Sequence, residues 1–307
     1  MSMTNQTEAF QFVLLGFGKL NQFRTLVFMV FFTIYIATLF GNLLIIVLVS
    51  SSHHLHTPMY IFLIHLSICD IVFTTNIAPE MLCHILNEVG KVSMAGCISQ
   101  FYLYGSSTVA ESFILTAMSY DRYLAICNPL RYTSTMRHGV CLKFVGASWL
   151  VGLLVTLNTS LMLFSSDFCG PNIIDHFICE LDPLLKLSCS NTSMLETLIF
   201  ILSVPITVIP FVFIIVTYVW IFLTVLKIPS STGRRKTFST CSSHLTSVST
   251  YYGTLTAIYV VPNRGHALSK ALYVLYTVVT PLFNPVIYSL RNQDMRKAFE
   301  MLLNKRK

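Results

Sequence analysis

Long apolar runs separated by short polar loops dominate the chain. Four of these runs are almost wholly apolar, and each is long enough to cross a bilayer, which requires roughly 20 residues of helix. The second follows Thr57-Pro58, a pair typical of a helix start, since threonine caps a helix and proline fits its first turn. We predict transmembrane helices over Leu26–Val49, Met59–Ile85, Val140–Phe164 and Leu195–Leu226.

Three further runs are apolar but interrupted by polar residues or prolines. Ile98–Ile126 contains Glu111, Phe238–Val261 is rich in serine, threonine and tyrosine, and Ala271–Leu290 carries two prolines. Polar and kinked helices are tolerated in a membrane when they face the interior of a helix bundle. Hydropathy alone therefore predicts between five and seven spans.

The composition excludes an ordinary soluble domain. Of the 307 residues, 54% are hydrophobic and 11% are charged, with a mean hydropathy of +0.68, whereas soluble domains carry roughly 25% charged residues. We therefore predict an all-α, polytopic membrane protein. The net charge of +7 does not indicate a nucleic-acid partner, because the basic residues cluster in short loops between apolar runs.

The distribution of lysine and arginine predicts the orientation. With seven spans and the N-terminus outside, fourteen of the 20 basic residues are cytoplasmic and six are extracellular, as the positive-inside rule requires. The loop over 50–57 disagrees, since it holds three histidines but neither lysine nor arginine. The global count outweighs this one loop, so we expect a multi-pass plasma-membrane protein with an extracellular N-terminus and a cytoplasmic C-terminus.

Three regions are expected along the chain. Residues 1–25 form an extracellular tail, which carries a glycosylation sequon at Asn5, and residues 26–290 form the seven-helix domain. The first apolar run is too long for a cleavable signal peptide. Residues 291–307 form a cytoplasmic amphipathic helix and tail lying on the inner leaflet, with one helical face made by Met295, Phe299, Leu302 and Leu303.

Four of the nine cysteines lie in or beside the long outside loop over 165–194. This placement favours disulfides in an oxidising compartment. Four cysteines allow three pairings, and their spacing does not choose among them. The four are Cys97, Cys169, Cys179 and Cys189.

The most informative motif is Asp121-Arg122-Tyr123, which ends an apolar run at a basic loop. Charge at such a boundary is costly unless it faces protein or water, so the acid and the arginine indicate a switch. Arg122 follows Cys97 by 25 residues, or roughly 37 Å of helix at 1.5 Å per residue. The two residues therefore lie on opposite sides of the membrane.

This motif and several others closely resemble those of the olfactory receptors, a family of rhodopsin-like G-protein-coupled receptors. The His-Thr-Pro sequence in the second-helix motif is typical of the tetrapod-type (class II) branch. The resemblance covers almost the whole chain and implies a seven-transmembrane helix bundle. It rests on Gly41-Asn42, Leu55–Tyr60, Leu66–Asp70, Lys236–Leu245 and Pro281–Asn292.

The resemblance implies two disulfides. The family pairs the third-helix cysteine with the middle cysteine of the long loop, which implies Cys97–Cys179 and leaves Cys169–Cys189 as the second bridge. Such a loop could serve as a lid over a pocket, as a structural staple, or as both.

The resemblance also implies a Na⁺ site. Asp70 and Glu111 are acids at membrane depth, where unpaired carboxylates are costly, and rhodopsin-like receptors hold Na⁺ near the second-helix aspartate. Asn42, Asn284 and Ser289 are the expected neighbours. The alternative is a protonated Glu111 hydrogen bonded to a serine. No other cofactor is expected.

Aromatic and hydroxyl residues recur at helical spacing in the outer halves of several predicted spans. Mostly apolar walls with a few hydroxyls suit a small neutral ligand, apolar or oxygenated. For any one residue, tight interhelical packing is the simpler interpretation, ahead of ligand contact. The expected ligand-binding residues are Tyr104, Gly105, Thr108, Ser112, Ser203, Tyr252, Leu255, Thr256, Tyr259, Tyr273 and Thr277.

The resemblance implies an odorant ligand and coupling to a stimulatory heterotrimeric G protein of the olfactory type, which raises cAMP. It also implies a location in the cilia of olfactory sensory neurons. No catalytic nucleophile–base arrangement is present, so an enzyme is not expected. The alternatives are a receptor for a non-odorant metabolite such as a carboxylate, and a channel or transporter, against which the absence of internal repeats argues. The expected G-protein switch consists of Asp121, Arg122, Tyr123, Tyr218, His244 and Tyr288.

Overall fold

A computed structural model describes residues 11–304 except 19, 88, 170, 261–265 and 292. The described chain forms seven long helical units with short connections, as the hydropathy pattern and the motif resemblance together predict. The seven units are α1 (Arg24–Ser51), α2 (Pro58–Asn87), α3 (Met94–Cys127), α5 (His138–Phe164), the fifth unit (Ser193–Leu226), α9 (Ser231–Val260) and the seventh unit (His266–Arg291).

Shorter helices connect or follow these units. They are α4 (Pro129–Thr135), α6 (Leu181–Leu187) and α12 (Gln293–Asn304), with single 3₁₀ turns at Asn21–Phe23 and His53–Leu55. On α12, Met295 and Ala298 are buried, but Phe299 is 39% exposed. An apolar side chain that faces lipid is exposed on the protein, so the expected inner-leaflet face with Met295 and Phe299 stays a prediction, and the side chains of Leu302 and Leu303 lie outside the described residues.

Five of the seven units are both long enough and apolar enough to cross a membrane by composition alone. The other two, α3 and α9, have 34 and 30 residues but contain many more serines, threonines and other polar residues. The expected range of five to seven spans therefore reflects the polarity of α3 and α9, which bury much of their polar surface within the bundle.

The fifth and seventh units each contain one wide π turn. The fifth consists of α7 (Ser193–Ser203), a π segment (Val204–Val208) and α8 (Ile209–Leu226). The seventh consists of α10 (His266–Val274), a π segment (Leu275–Val279) and α11 (Thr280–Arg291). A π turn inserts an extra residue into the helix, so it changes which side chains face the bundle.

The central helix is α3, which packs against α2, α5 and α8. Its approach to α5 depends on Gly152, since a Cβ atom there would lie 2.5 Å from the backbone oxygen of Ser106. Such close approach through small residues is typical of helix packing in membranes. Helix α1 lies at the edge of the bundle, where it packs against α2 and α11.

A small three-stranded sheet covers one end of the bundle. Strand β1 (Gln11–Leu14) pairs antiparallel with β2 (Gly90–Ser93) and parallel with β3 (Ile173–Ile174). No alternating pattern in the sequence predicts these short strands, which lie in the tail and two loops. The sheet fastens the tail to the long loop, with Phe12 and Leu14 fully buried beneath it.

Candidate functional site

An ion pair at the end of α3 holds the predicted switch arginine. Asp121 is fully buried, and its Oδ2 accepts a hydrogen bond from Nε of Arg122 at 2.9 Å. Its other oxygen accepts a hydrogen bond from the hydroxyl of Tyr132 on α4, also at 2.9 Å. Burial, together with the Asp121 carboxylate, raises the pKa of Tyr132, so its hydroxyl stays protonated as a donor. Both oxygens of Asp121 are therefore engaged.

A second set of contacts joins α3, α8 and α9 at the same end of the bundle. His244 is fully buried on α9, and its Nε2 donates to the carbonyl oxygen of Leu115 on α3 at 3.1 Å. Its Nδ1 therefore accepts from the hydroxyl of Tyr218 on α8, at 2.6 Å. The two rings also stack, with centroids 5.7 Å apart. Tyr218 is thus held by His244 through both a hydrogen bond and ring stacking.

The two remaining predicted switch residues lie nearby. Tyr123 packs on the cluster formed by Ile221, Val225 and Cys241, at the ends of α8 and α9. Tyr288 is fully buried on α11. No sequence pattern points to Tyr132 as a partner of Asp121, because its place depends on the turn at Asn128 that separates α3 from α4.

Asp70 and Glu111 are brought together in the middle of the bundle, at 2% and 6% exposure. The amide nitrogen of Asn284 donates to both oxygens of Asp70, at 3.2 and 3.1 Å, and it also interacts with Glu111. Asn42 instead joins α1 to the seventh unit, since its amide donates to the carbonyl oxygens of Thr38 and Pro281. The side chain of Ser289 lies outside the described residues.

These residues fit a hard cation such as Na⁺, which takes oxygen ligands. Two carboxylates converge, and two buried oxygens make no hydrogen bond within the described part of the chain: Oδ1 of Asn42 and the hydroxyl of Thr74. Thr74 lies one helical turn from Asp70 on α2. A bound Na⁺ would offset the charge of one of the two acids and give these oxygens a partner.

Several of the expected ligand-binding residues, together called the ligand face below, are hydrogen bonded to one another or to neighbouring helices. The hydroxyls of Ser112 and Tyr252 lie 2.9 Å apart, and Ser112 also donates to the carbonyl oxygen of Ile206 in the fifth unit. The hydroxyl of Thr108 lies 2.9 Å from that of Tyr276. These hydrogen bonds therefore join α3, the fifth unit, α9 and the seventh unit at one depth in the bundle.

Two tyrosines in this network, Tyr251 and Tyr276, are not among the residues expected from the sequence. Tyr251 is buried and donates to the backbone oxygen of Thr108 at 2.8 Å. The helical spacing that selects Tyr252 does not select its neighbour. Tyr276 lies in a π segment, where ordinary helical spacing fails.

Four other predicted residues line the surrounding core. Tyr104 contacts Phe73 and Phe101 edge-on, and Leu255 is buried. Thr277 is buried and donates to the backbone oxygen of Tyr273. Tyr273, one turn nearer the long loop, is buried as well.

Three predicted residues lie apart from the ligand face, and a fourth is not described. Ser203 is exposed and bonds within its own helix, and Thr256 is exposed. Gly105 faces α5, since a Cβ atom there would lie 2.8 Å from Cγ2 of Thr156. The side chain of Tyr259 lies outside the described residues. Ser203 precedes a π turn, and Thr256 lies at the edge of the buried face of α9.

The long loop covers the end of the bundle next to Tyr273. Disulfides join Cys97 to Cys179 and Cys169 to Cys189. The backbone nitrogen of Cys179 donates to Oε1 of Gln100 on α3 at 2.8 Å.

Two surface cavities of the described bundle, of about 350 and 390 Å³, lie away from the ligand face, at the outer surface of α1 and between α5 and α7.

Comparison with known proteins identifies the architecture. The model of the olfactory receptor family matches residues 31–306. The chain belongs to the olfactory receptor family. This receptor is 44% identical to human olfactory receptor 11L1 over 100% of its own length and 96% of that relative. It is 43% identical to rat olfactory receptor 1468, covering 100% and 98%, and 46% identical to mouse olfactory receptor 5P55, covering 97% of each.

Membership of this family defines the general function. The receptor is a multi-pass, G-protein-coupled odorant receptor with a seven-helix fold, and it is not an enzyme. This result excludes the alternative hypothesis of a channel or transporter. The ion pair of Arg122, the acids Asp70 and Glu111, and the hydroxyl groups of Ser112 and Tyr252 all lie within one helix bundle.

Proposed function

We propose that the receptor binds a small neutral odorant, apolar or oxygenated, in the outer half of the bundle, and that binding activates a stimulatory G protein of the olfactory type and raises cAMP. The observation that carries this proposal is the position of α9. Its Tyr252 contacts Ser112 on the ligand face, and its His244, eight residues earlier, contacts Leu115 and Tyr218. Eight residues of helix span about 12 Å.

Movement of α9 would therefore change the contact of Tyr252 with Ser112 and the contacts of His244 at the same time. A ligand that separates Tyr252 from Ser112 favours a new position of α9, and that position weakens the contacts of His244. Release of α9 opens the region beside Arg122, where the G protein would bind. The ligand activates only through its higher affinity for the open arrangement, as in any population shift.

The charges near the long loop favour a neutral ligand over a carboxylate. The Nζ of Lys270 lies 2.6 Å from Oδ1 of Asp175, so this ammonium group is already paired. An incoming carboxylate would meet the acid as well as the base. Arg264, a second basic residue close to Lys270 in the sequence, lies outside the described residues.

We propose that the N-terminal tail is extracellular. Strand β1 of the tail pairs with β3 of the long loop, and that loop holds two disulfides, which form in oxidising compartments. Asn5, outside the described residues, would then be glycosylated. The location proposed for the receptor is the plasma membrane of olfactory sensory neuron cilia.

We also propose that Asp70 and Glu111 hold Na⁺ between the ligand face and the Arg122 ion pair. When bound, the cation would supply positive charge to two acids that share one amide donor. Asp70, Glu111 and the oxygen of Asn42 are the side chains that would hold it.

The proposed function is tested in cells that express the receptor with a cAMP reporter and are exposed to an odorant panel. Odorants should raise cAMP only in cells carrying the receptor. A membrane current that requires the receptor, in cells without cyclic-nucleotide-gated channels, would contradict the proposal. So would a receptor on the cell surface that responds to metabolite carboxylates and to no neutral odorant.

A further inference from the structure

His176 lies in the long loop two residues after β3 and is turned inward. It is only 3% exposed. Its ring stacks on that of Phe177 and meets the ring of Tyr273 edge-on, with centroids 4.7 Å apart in both cases. The imidazole therefore sits at the boundary between the loop and the seventh unit, immediately above the ligand face.

One hydrogen bond determines which ring nitrogen carries the proton. The backbone N–H of Ile178 donates to Nδ1 of His176 at 3.3 Å, so Nδ1 is the acceptor. In a neutral imidazole the other nitrogen is then a donor. Burial, with the nearby Lys270 ammonium, lowers the pKa of His176 to about 4 against the opposing effect of Asp175, so the ring is neutral at physiological pH.

Two buried polar atoms lie at this boundary between the long loop and the seventh unit. Within the described part of the chain, neither Nε2 of His176 nor the hydroxyl of Tyr273 makes a hydrogen bond. Tyr273 is 4% exposed. A buried donor without an acceptor is costly, and two on rings in contact are within reach of one small molecule. An N–H and an O–H together match an oxygen that accepts two hydrogen bonds.

The surroundings of this pair select a neutral ligand. Within the described part of the chain, the charged groups nearby are Lys270 and Asp175, which form an ion pair at 2.6 Å with no net charge of its own. The remaining wall is aromatic, since Phe177 also stacks on Phe17 with centroids 5.0 Å apart. An apolar body with one strong acceptor fits these walls better than a charged group does.

We propose that His176 and Tyr273 form a hydrogen-bonding subsite that holds the carbonyl oxygen of a neutral aldehyde, ketone or ester. The subsite rests on the proposed function and names the ligand class within it. The carbonyl oxygen accepts from Nε2–H of His176 and from the hydroxyl of Tyr273, while the hydrocarbon chain extends toward Thr108 and Tyr276.

Tyr273→Phe tests this subsite with little disturbance of the fold, because the deleted hydroxyl has no partner within the described protein. Potency is measured as cAMP for octanal and for nonene, a hydrocarbon of similar size, at matched surface expression. Loss of one hydrogen bond should weaken octanal about three- to tenfold. Nonene should be unaffected or strengthened, since the site becomes more apolar.

Tyr251→Phe is the matched control. Its hydroxyl is bonded to Thr108 within the bundle, so any effect acts through packing and should be similar for octanal and nonene. The second variant, His176→Phe, keeps an aromatic ring and deletes Nε2–H. Combined with Tyr273→Phe, it should be non-additive for octanal and additive for nonene, because both donors hold one oxygen.

Direct binding separates this inference from the proposed function. Thermal unfolding of the purified receptor is followed with octanal, a ketone, an ester and nonene. Carbonyl compounds that stabilise the receptor without raising cAMP in cells would support the subsite and contradict the proposed function. Equal shifts for octanal and nonene in Tyr273→Phe, or a receptor that binds none of the carbonyl compounds, would overturn the subsite.

Discussion

The hydroxyl of Tyr218 lies 2.6 Å from Nδ1 of His244, and the opposite nitrogen of that histidine donates to the carbonyl oxygen of Leu115. One buried side chain therefore fastens α9 to both α8 and α3. Arg122 is at the same time held by Asp121. These two sets of contacts close the end of the bundle where a G protein would bind, as expected of a resting receptor.

Replacement of His244 should raise signalling in the absence of odorant. His244→Phe deletes both hydrogen bonds that hold α9, and each is worth about 0.5–1.5 kcal/mol. A loss of about 1 kcal/mol from the resting state increases the active fraction roughly fivefold. Basal cAMP per surface receptor is the measurement. Thr246→Val is the control, since that hydroxyl bonds to Ser242 on its own helix. Equal basal cAMP in both variants would contradict the role of His244.

The close contact between α3 and α5 gives a stability prediction. Gly152→Ala places a methyl group against the backbone oxygen of Ser106, and overpacking of this kind costs about 1–3 kcal/mol. Gly146→Ala lies on the same helix with no atom within 4 Å of the new Cβ, so it should be neutral or slightly stabilising. Thermal unfolding of the two purified variants should separate them clearly; identical unfolding temperatures would mean that the helices can move apart freely.

The bridge between Cys97 and Cys179 should be required for delivery to the cell surface. Loss of a native disulfide typically costs about 2–5 kcal/mol, and this one holds the long loop against α3. Cys97→Ser should therefore be retained inside the cell. Cys83→Ser, which removes an exposed free cysteine on α2, should reach the surface normally. Peptide mapping without reduction that found Cys97 joined to Cys189 would refute this pairing.

The acid cluster predicts a dependence on sodium. Asp70→Asn and Glu111→Gln each remove one carboxylate from the proposed Na⁺ site and should each reduce any effect of Na⁺ on odorant potency. Glu80→Gln is the control, because Glu80 accepts from Gln100 away from the cluster. If wild type and both cluster variants respond identically with and without Na⁺, a protonated Glu111 would be the better description.

The span boundaries follow from hydropathy to within a few residues at most helix ends. The largest difference is at α9, which begins at Ser231 rather than Phe238; the seventh unit also begins early, at His266 rather than Ala271. The extra two turns of α9 are polar, so they do not register as membrane-spanning although they continue the same helix. Local composition determines where a helix crosses the apolar layer, but not how far it continues beyond it.

The sequence does not predict which side chains contact one another across the bundle. Tyr132 and His176 reach their positions through turns, and Tyr251 and Tyr276 through the rotation and π segment of their helices. Ser203 and Thr256 are exposed because helical spacing alone does not determine which face is buried. Motif resemblance, by contrast, identifies Asp121 and Arg122, whose contact requires only adjacent positions.

The central claim is that an odorant signals through Arg122 to a stimulatory G protein. The most direct measurement is odorant-driven cAMP in cells expressing Arg122→Ala, with surface receptor counted in the same cells. Lys186→Ala, which removes an exposed base paired with Asp182, serves as the control. The prediction is that Arg122→Ala reaches the surface, still binds odorant and gives cAMP no higher than background, while Lys186→Ala responds as wild type. A normal cAMP response from Arg122→Ala at the cell surface would contradict the claim.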